Sequence, residues 1–301
     1  MKNFILSSSV AFATMIASAQ AADLEVEREV GLIVSGVVDT WIGAQFLDRG
    51  PLSDTTVLAT GGEGLLSLPL GDNISLQNDV KYEYNTQAND NLSNSAGPRY
   101  SFQFAGHGSW RDPSIGLLGV FGGVGGQNHG IVGSTEVAFV GGEFQYYMDT
   151  ITLYGQGGFV DYSETNAFGA PYGLDDGYFG RGVLRWFISD RSRFEVEASY
   201  FFTDFAASDY TTDAFSVSTR YDFTLGLPII GETSLYIAWR GTWRSDCFRD
   251  VQSSDYDLND HTIMLGTSYS FSGDRITVDR HGATLDTPDF NHGCGRRRSR
   301  L

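Results

Sequence analysis

Long apolar runs, cysteine and proline are all scarce in this chain of 301 residues. After residue 21, no stretch reaches the roughly 20 apolar residues that a transmembrane helix needs. The 2 cysteines show no spacing typical of a metal site, and the chain has no phosphate-binding glycine loop or dinucleotide motif. The sequence therefore predicts no metal and no cofactor. Only 7 prolines accompany 37 glycines and 14% aromatic residues, a composition that fits many long strands.

Positive charge is also in short supply. The chain has 20 Lys and Arg against 37 Asp and Glu, for a formal net charge of −17. Binding to nucleic-acid phosphates requires clustered cations. The charge balance therefore argues against nucleic acid as a partner.

The first residues have the pattern of a secretory signal peptide. Lys2 supplies a positive start, an apolar run extends from Phe4 to Ile16, and Ala19-Gln20-Ala21 provides the small residues that precede a cleavage site. We expect cleavage before Ala22 and exclude residues 1–21 from the fold. The protein is therefore expected to leave the cytoplasm.

Apolar and polar residues alternate along twelve segments between residues 34 and 271. In segment 73–84, for example, every second residue is apolar or aromatic over most of its length. A period of two predicts a strand with one apolar and one polar face. Most of the twelve segments have ten or more residues, whereas strands in soluble sheets average five or six and strands that cross a bilayer need roughly 9–11. The apolar face of segment 73–84 carries Ile74, Leu76, Val80, Tyr82 and Tyr84.

The connections between these segments alternate between long and short. An even strand number, short turns on one side and long loops on the other are typical of outer-membrane barrels. We therefore predict an all-β fold, an antiparallel transmembrane β-barrel of 12 strands within residues 22–271, with its termini in the periplasm. Residues 272–301 are expected to form a disordered periplasmic tail. A membrane would then separate Cys247 from Cys294. A soluble, secreted all-β protein is the structural alternative.

The last predicted strand resembles the closing strand of small porin-like outer-membrane β-barrel proteins of Gram-negative bacteria. The resemblance covers roughly residues 32–271, but thirty residues follow the strand here, whereas in many relatives its Phe ends the chain. It implies location in the outer membrane, contact with outer-membrane lipid and lipopolysaccharide, recognition by the barrel-assembly machinery, and a monomer or small homo-oligomer. The assembly signal would comprise Ile263, Leu265, Tyr269 and Phe271.

Charged residues on the polar faces predict a lumen with two walls of opposite sign, which would create a transverse field across a narrow pore. The main hypothesis is a porin-like channel for passive diffusion of small hydrophilic solutes. Alternatively, Glu195, Glu197 and Asp222 neutralise the arginines, which would give a non-conducting structural or adhesion barrel. The basic wall comprises Arg181, Arg185, Arg193, Arg220 and Arg240, and the acidic wall comprises Asp39, Glu63, Asp79 and Glu83.

The sequence does not predict an enzyme. One arrangement at the outer rim nevertheless resembles outer-membrane lipases and deacylases. Ser245 and His261 flank the last long connection, and Asn259 could orient the imidazole. Because such residues are ordinary in loops, an enzyme at the outer rim ranks below both barrel hypotheses.

Overall fold

The computed structural model describes residues 34–49, 52–86, 99–128, 133–166, 174–205, 208–225, 232–249, 255–271 and 275–290. The predicted signal peptide and Cys294 lie outside these ranges. No helix in the described part of the chain is long and apolar enough to cross a membrane. The strands are β1 (Ser35–Arg49), β2 (Leu52–Pro69), β3 (Ile74–Asn85), β4 (Arg99–Asp112), β5 (Gly116–Asn128), β6 (Gly133–Met148), β7 (Ile151–Asn166), β8 (Leu174–Ser189), β9 (Ser192–Phe205), β10 (Ser208–Leu225), β11 (Glu232–Arg249) and β12 (Asp255–Ser270).

The twelve strands form one closed barrel in which each strand pairs antiparallel with its neighbours in the chain. β1 closes the barrel by pairing with β12, in a register that runs from Val37 opposite Ser270 to Asp48 opposite Asn259. Closure leaves no unpaired sheet edge. The predicted fold class, an antiparallel barrel of 12 strands, is confirmed.

The two faces of each strand differ as the alternation predicted. On β3, Ser75, Gln77 and Asp79 are buried inside the barrel, whereas Ile74 and Leu76 are exposed on its outer surface. Every strand exposes at least one large apolar side chain on the outside. A continuous apolar surface of this kind is too large for a water-exposed monomer and is typical of a barrel surrounded by lipid.

Several strands are longer than the sequence pattern predicted. Residues 47–63 were expected to form a long loop, but β1 and β2 extend through all of this range except 50–51. β9 with β10, and β11 with β12, lengthen at the same end. Antiparallel pairing can continue wherever the backbones find partners, whereas the alternation is visible only where one face meets lipid.

The closing strand packs against the first strand at a glycine. The backbone N–H of Phe271 donates to the carbonyl of Gly36 at 3.3 Å. The Phe271 ring covers Gly36, and a Cβ atom at position 36 would overlap it. Ile263 and Leu265 are exposed on the outer face of β12. Their recognition by an assembly machinery stays a prediction.

The chain turns back into the barrel after β12. Helix α1 (Arg275–His281) is followed by residues 284–290, which have no regular secondary structure. Leu285 and Thr287 are completely buried. The structure thus differs from the expected disordered periplasmic tail over residues 275–290, which we call the plug segment. The expected separation of Cys247 from Cys294 stays a prediction, because Cys294 lies outside the described residues.

The position of Gly282 allows the location of the plug segment to be tested. A Cβ atom at Gly282 would lie 3.0 Å from the Cβ atom of Ser35 on β1. Disulfides need a Cβ–Cβ separation of about 3.5–4.5 Å, so a small shift suffices. We expect Ser35→Cys/Gly282→Cys, made with Cys247 and Cys294 replaced by Ser, to form an intramolecular disulfide on mild oxidation of the folded barrel.

The matched control is Gln127→Cys/Gly282→Cys in the same background. Gln127 lies near the far end of β5, about 11 residues or roughly 35 Å beyond the short-turn end. Mass spectrometry should detect the cross-link with position 35 and not with position 127. Failure of the first pair to cross-link would mean that the plug segment does not enter the barrel.

Candidate functional site: the occupied lumen

The nine charged residues predicted to line the lumen all lie at inward-facing positions. The arginines occupy four consecutive strands and the carboxylates occupy three others, so a basic wall stands across the barrel from an acidic wall. Most of these side chains are buried or nearly so. The basic wall has Arg181 and Arg185 on β8, Arg193 on β9, Arg220 on β10 and Arg240 on β11; the acidic wall has Asp39 on β1, Glu63 on β2, and Asp79 and Glu83 on β3.

Two ion pairs cross the lumen and join the walls. Arg220 on β10 donates to Asp39 on β1 at 2.5 Å. Arg240 on β11 donates to Glu83 on β3 at 3.0 Å. The charges that were expected to create a field across open water are in direct contact at these levels.

Carboxylates within the basic wall also neutralise the arginines. Arg185 pairs with Glu195 at 2.9 Å and Arg181 pairs with Glu197 at 2.7 Å. Asp222, another member of this group, contacts Arg193 at 3.0 Å and Arg220 at 2.8 Å. The structure therefore contains both the opposed walls of the first hypothesis and the cross-strand pairs of the alternative.

The plug segment begins at the end of the barrel that has the short turns. Arg275 contacts Asp222 at 3.1 Å, and Arg280 donates to the carbonyl of Asp149 in the turn between β6 and β7. Asp279 accepts from Arg185 at 3.0 Å and from the Thr152 hydroxyl at 2.5 Å. These contacts fix α1 to several strands.

Side chains of β3 and β4 bind the backbone of the plug segment beyond α1. The side-chain amide oxygen of Gln77 accepts from the backbone N–H groups of residues 284 and 285, at 3.0 and 3.2 Å. Asp79 accepts from the N–H and the hydroxyl of Thr287, at 2.9 and 2.8 Å. Gln103 accepts from the N–H of Phe290 at 3.1 Å. Buried N–H groups that are not part of a sheet thus have partners on the wall, as buried backbone requires.

The plug segment carries acidic side chains to the basic wall. Asp286 contacts Arg181 at 2.6 Å and Arg185 at 3.3 Å, and Asp289 contacts Arg240 at 2.7 Å. Each of these arginines also has a carboxylate partner on the wall. The plug segment therefore supplies a second carboxylate to arginines that already have one carboxylate partner on the wall.

Two apolar side chains anchor the plug segment. The Phe290 ring stacks on Phe139 with 4.4 Å between centroids and meets Phe179 and Phe201 edge to face, at 5.1 and 5.5 Å. Leu285 belongs to a second buried cluster that includes Tyr154. Burying a large apolar side chain contributes about 1.5–3 kcal/mol. The lumen thus has apolar patches as well as charge.

The sequence pattern did not reveal these patches. Phe139, Phe179 and Phe201 lie on inward-facing positions, although their strands were interpreted as apolar outside and polar inside. The available signal was apolar residues on both faces of one strand, as at Tyr178 and Phe179 on β8. The plug segment was missed because its acidic and apolar residues have no periodicity.

Little free volume remains beside α1. A cavity of about 80 Å³ lies there, lined by residues that include Asp39, Arg193, Arg220 and Arg275. This volume holds only a few water molecules.

The structure does not bring the residues of the rim enzyme hypothesis together. The Ser245 hydroxyl donates to Asp213, whereas His261 lies against the rings of Trp239 and Trp243. His261 pairs with Gly241, four residues before Ser245 and hence roughly 13 Å from it along the strand. The catalytic arrangement proposed from sequence is not formed.

Comparison with solved structures identifies the class of fold. The COG4313 outer membrane channel from Pseudomonas putida F1 superposes with a TM-score of 0.58 at 10% identity, over 82% of this chain and 99% of that chain. The fold is that of an outer-membrane β-barrel. Weaker likenesses include a Pseudomonas aeruginosa FadL homologue (TM-score 0.44, 10% identity, 79% and 90% coverage) and the translocator domain of the Neisseria meningitidis autotransporter NalP (0.45, 15%, 87% and 97%).

Searches of the sequence itself give no match. No protein-family model and no curated protein matches this outer-membrane barrel. The likeness to solved structures is in fold, and the functional argument therefore rests on the lumen of this chain.

Protease sensitivity of α1 should report how firmly Phe290 anchors the plug segment. Phe290→Ala removes a ring that contacts three others, and such changes cost about 3–5 kcal/mol. If the plug segment opens and recloses faster than it is cut, a loss of about 3 kcal/mol accelerates cleavage at Arg275 and Arg280 roughly hundredfold. Trypsin digestion of the folded barrel in detergent, followed by mass spectrometry, measures this rate.

The matched control is Phe215→Ala, which removes an aromatic ring from the outer surface of β10. It should leave cleavage at Arg275 and Arg280 unchanged. Equal rates for Phe290→Ala and the unmodified protein would show that the aromatic cluster does not hold the plug segment in place.

Proposed function

We propose that this protein is a porin-like channel of the outer membrane for small hydrophilic solutes, and that the plug segment holds it closed. The observation that carries the proposal is that the lumen is occupied by the plug segment, which the wall holds mainly by polar contacts. Among the described residues, one segment occupies the lumen. This segment follows β12 in the chain, and it contacts the wall mainly through hydrogen bonds and ion pairs. It can leave without breaking the strand ladder.

The part of the wall that the plug segment covers carries polar and charged side chains that water can solvate. Gln77, Gln103, Arg181 and Arg185 bind the plug segment through groups that water could solvate equally well once it leaves. Exchange of protein partners for water makes the net stability of each such hydrogen bond small, about 0.5–1.5 kcal/mol. A polar wall and a removable occupant favour a channel with a closed state.

We infer the orientation of the barrel in the membrane from the lengths of the connections between strands. The end at which β1 begins and β12 ends has short turns, including residues 113–115 and 149–150. In bacterial outer-membrane barrels the short turns face the periplasm. We accordingly assign this end, where α1 enters, to the periplasmic side of the outer membrane.

The second candidate is a non-conducting barrel that serves the envelope structurally or in adhesion. It is favoured by the contacts that hold the plug segment, above all the Phe290 cluster. It is also favoured by the pair of Arg220 with Asp39, which joins the two walls across the lumen without the plug segment. A permanently filled lumen would need such contacts. Conductance decides between the two candidates.

Single-channel recording should distinguish the unmodified protein from Asp286→Lys. The substitution places a cation beside Arg181 and Arg185, so that repulsion replaces attraction and the plug segment is expelled. We expect rare openings from the unmodified protein in planar bilayers and frequent, stable openings from Asp286→Lys.

The matched control is Asp190→Lys, which makes the same charge change in the exposed turn between β8 and β9. It should behave as the unmodified protein does. Heat-modifiable migration on gels verifies that each variant is a folded barrel. Absence of steps from folded Asp286→Lys would support the non-conducting barrel, and steady conductance of the unmodified protein would refute closure by the plug segment.

A further inference from the structure

The wall holds Asp286 by two different groups. Its carboxylate accepts from Arg181 Nη2 at 2.6 Å and from Arg185 Nη2 at 3.3 Å. Its backbone carbonyl accepts from Arg181 Nη1 at 3.0 Å and from the Gln156 amide at 2.9 Å, and it lies 3.2 Å from the Tyr154 hydroxyl oxygen. Four hydrogen bonds and the Tyr154 hydroxyl therefore surround one residue of the plug segment.

The two groups that are recognised lie at the ends of a four-carbon chain. In an aspartate residue the carboxyl carbon, Cβ, Cα and the carbonyl carbon follow one another, as the four carbons of succinate do. We propose that Arg181, Arg185, Gln156 and Tyr154 form a binding site for four-carbon dicarboxylates, and that Asp286 occupies this site as an internal substitute.

A dicarboxylate would match the donors better than the plug segment does. Arg181 gives one nitrogen to the Asp286 carboxylate and the other to the neutral carbonyl. A second carboxylate in the carbonyl position would turn a neutral acceptor into an ionised one, and charge-assisted hydrogen bonds are roughly twice as strong as neutral ones. Lys81, 3.6 Å from Asp286, adds a third cation to the site.

The barrel wall orders the site without help from the plug segment. The Gln156 side-chain oxygen accepts from Arg181 at 2.9 Å. Both guanidinium groups lie near the ring of Tyr154, at 5.5 Å for Arg181 and 5.3 Å for Arg185. Their pairs with Glu197 and Glu195 also remain when the plug segment leaves. A ligand would therefore meet preorganised donors, which lowers the cost of binding.

One carboxylate of the wall lies close to the carbonyl end of the site. Glu143 accepts from the Tyr154 hydroxyl at 2.7 Å and from Gln156 at 3.2 Å. It is also paired with His107 at 2.9 Å. A protonated His107 would offset the charge of Glu143. Lys81 is paired with Glu63 at 3.2 Å, so each of the three cations around the ligand also has one carboxylate partner on the wall.

Ligand and plug segment compete for the same donors. A solute can shift a conformational equilibrium only through its different affinity for the two states. A dicarboxylate binds only when Asp286 is displaced, and it would therefore favour the open barrel. This consequence rests on the proposed channel function, whereas binding itself does not.

Calorimetric titration with succinate tests the site in the full-length folded barrel. We expect Asp286→Ala, which removes the carboxylate through which the plug segment competes for the two arginines, to bind succinate at least about tenfold more tightly than the unmodified protein. Asp289→Ala is the matched control, because it removes another carboxylate of the plug segment that bonds Arg240 rather than the site. Adding Arg181→Lys to Asp286→Ala should abolish the gain, since lysine cannot serve both ends of the ligand.

The choice of probe separates specific recognition from general anion binding. Acetate offers one carboxylate and succinamide offers the four-carbon chain without charge; at constant ionic strength both should bind Asp286→Ala at least about tenfold more weakly than succinate. Equal binding of acetate and succinate, or no gain in Asp286→Ala over the unmodified protein, would overturn the proposal. Succinate binding without conductance would refute the channel alone, and conductance without succinate binding would refute the site alone.

Discussion

Buried arginine charge is the constraint on which the interior of this barrel depends. A cation removed from water needs an anionic partner, and leaving one uncompensated costs about 3–5 kcal/mol. Arg181 and Arg185 satisfy this requirement with Glu197 and Glu195 on the next strand, and with Asp286 from the C-terminal end of the chain. The strand ladder determines where the arginines stand. The plug segment adds a further carboxylate to both arginines, and its position depends on them in turn.

The same arrangement can account for both stability and opening. Arg181 and Arg185 each have a carboxylate partner on the wall. Departure of the plug segment therefore does not leave these arginines without an anionic partner. The apolar anchors work differently, because exposing Phe290 and the rings around it to water is unfavourable whatever the ionic conditions. Charge thus provides the specific recognition within the lumen, and the aromatic cluster provides the contribution that a competing solute cannot replace.

The sequence predicted the barrel well because lipid imposes a strict alternation on each strand. Segment 73–84 shows this rule, and the arginines and carboxylates of the walls were assigned to the lumen by the same parity. The plug segment could not be predicted in this way. Its partners are Gln77, Asp79 and Gln103, each roughly 200 residues away in the chain, and no periodicity links such positions. The extended hairpins were missed because their outer parts lie beyond the apolar belt.

Hydrogen exchange across residues 275–290 in the folded barrel gives the most direct information on whether the plug segment occupies the lumen. The N–H groups of Thr284, Leu285, Thr287 and Phe290 all donate to buried side chains. We therefore predict that this peptide exchanges at least about a hundredfold more slowly than the same sequence in an unfolded chain. Exchange at the unfolded rate, in a barrel whose strands remain protected, would contradict the structure of the closed lumen and the mechanism built on it.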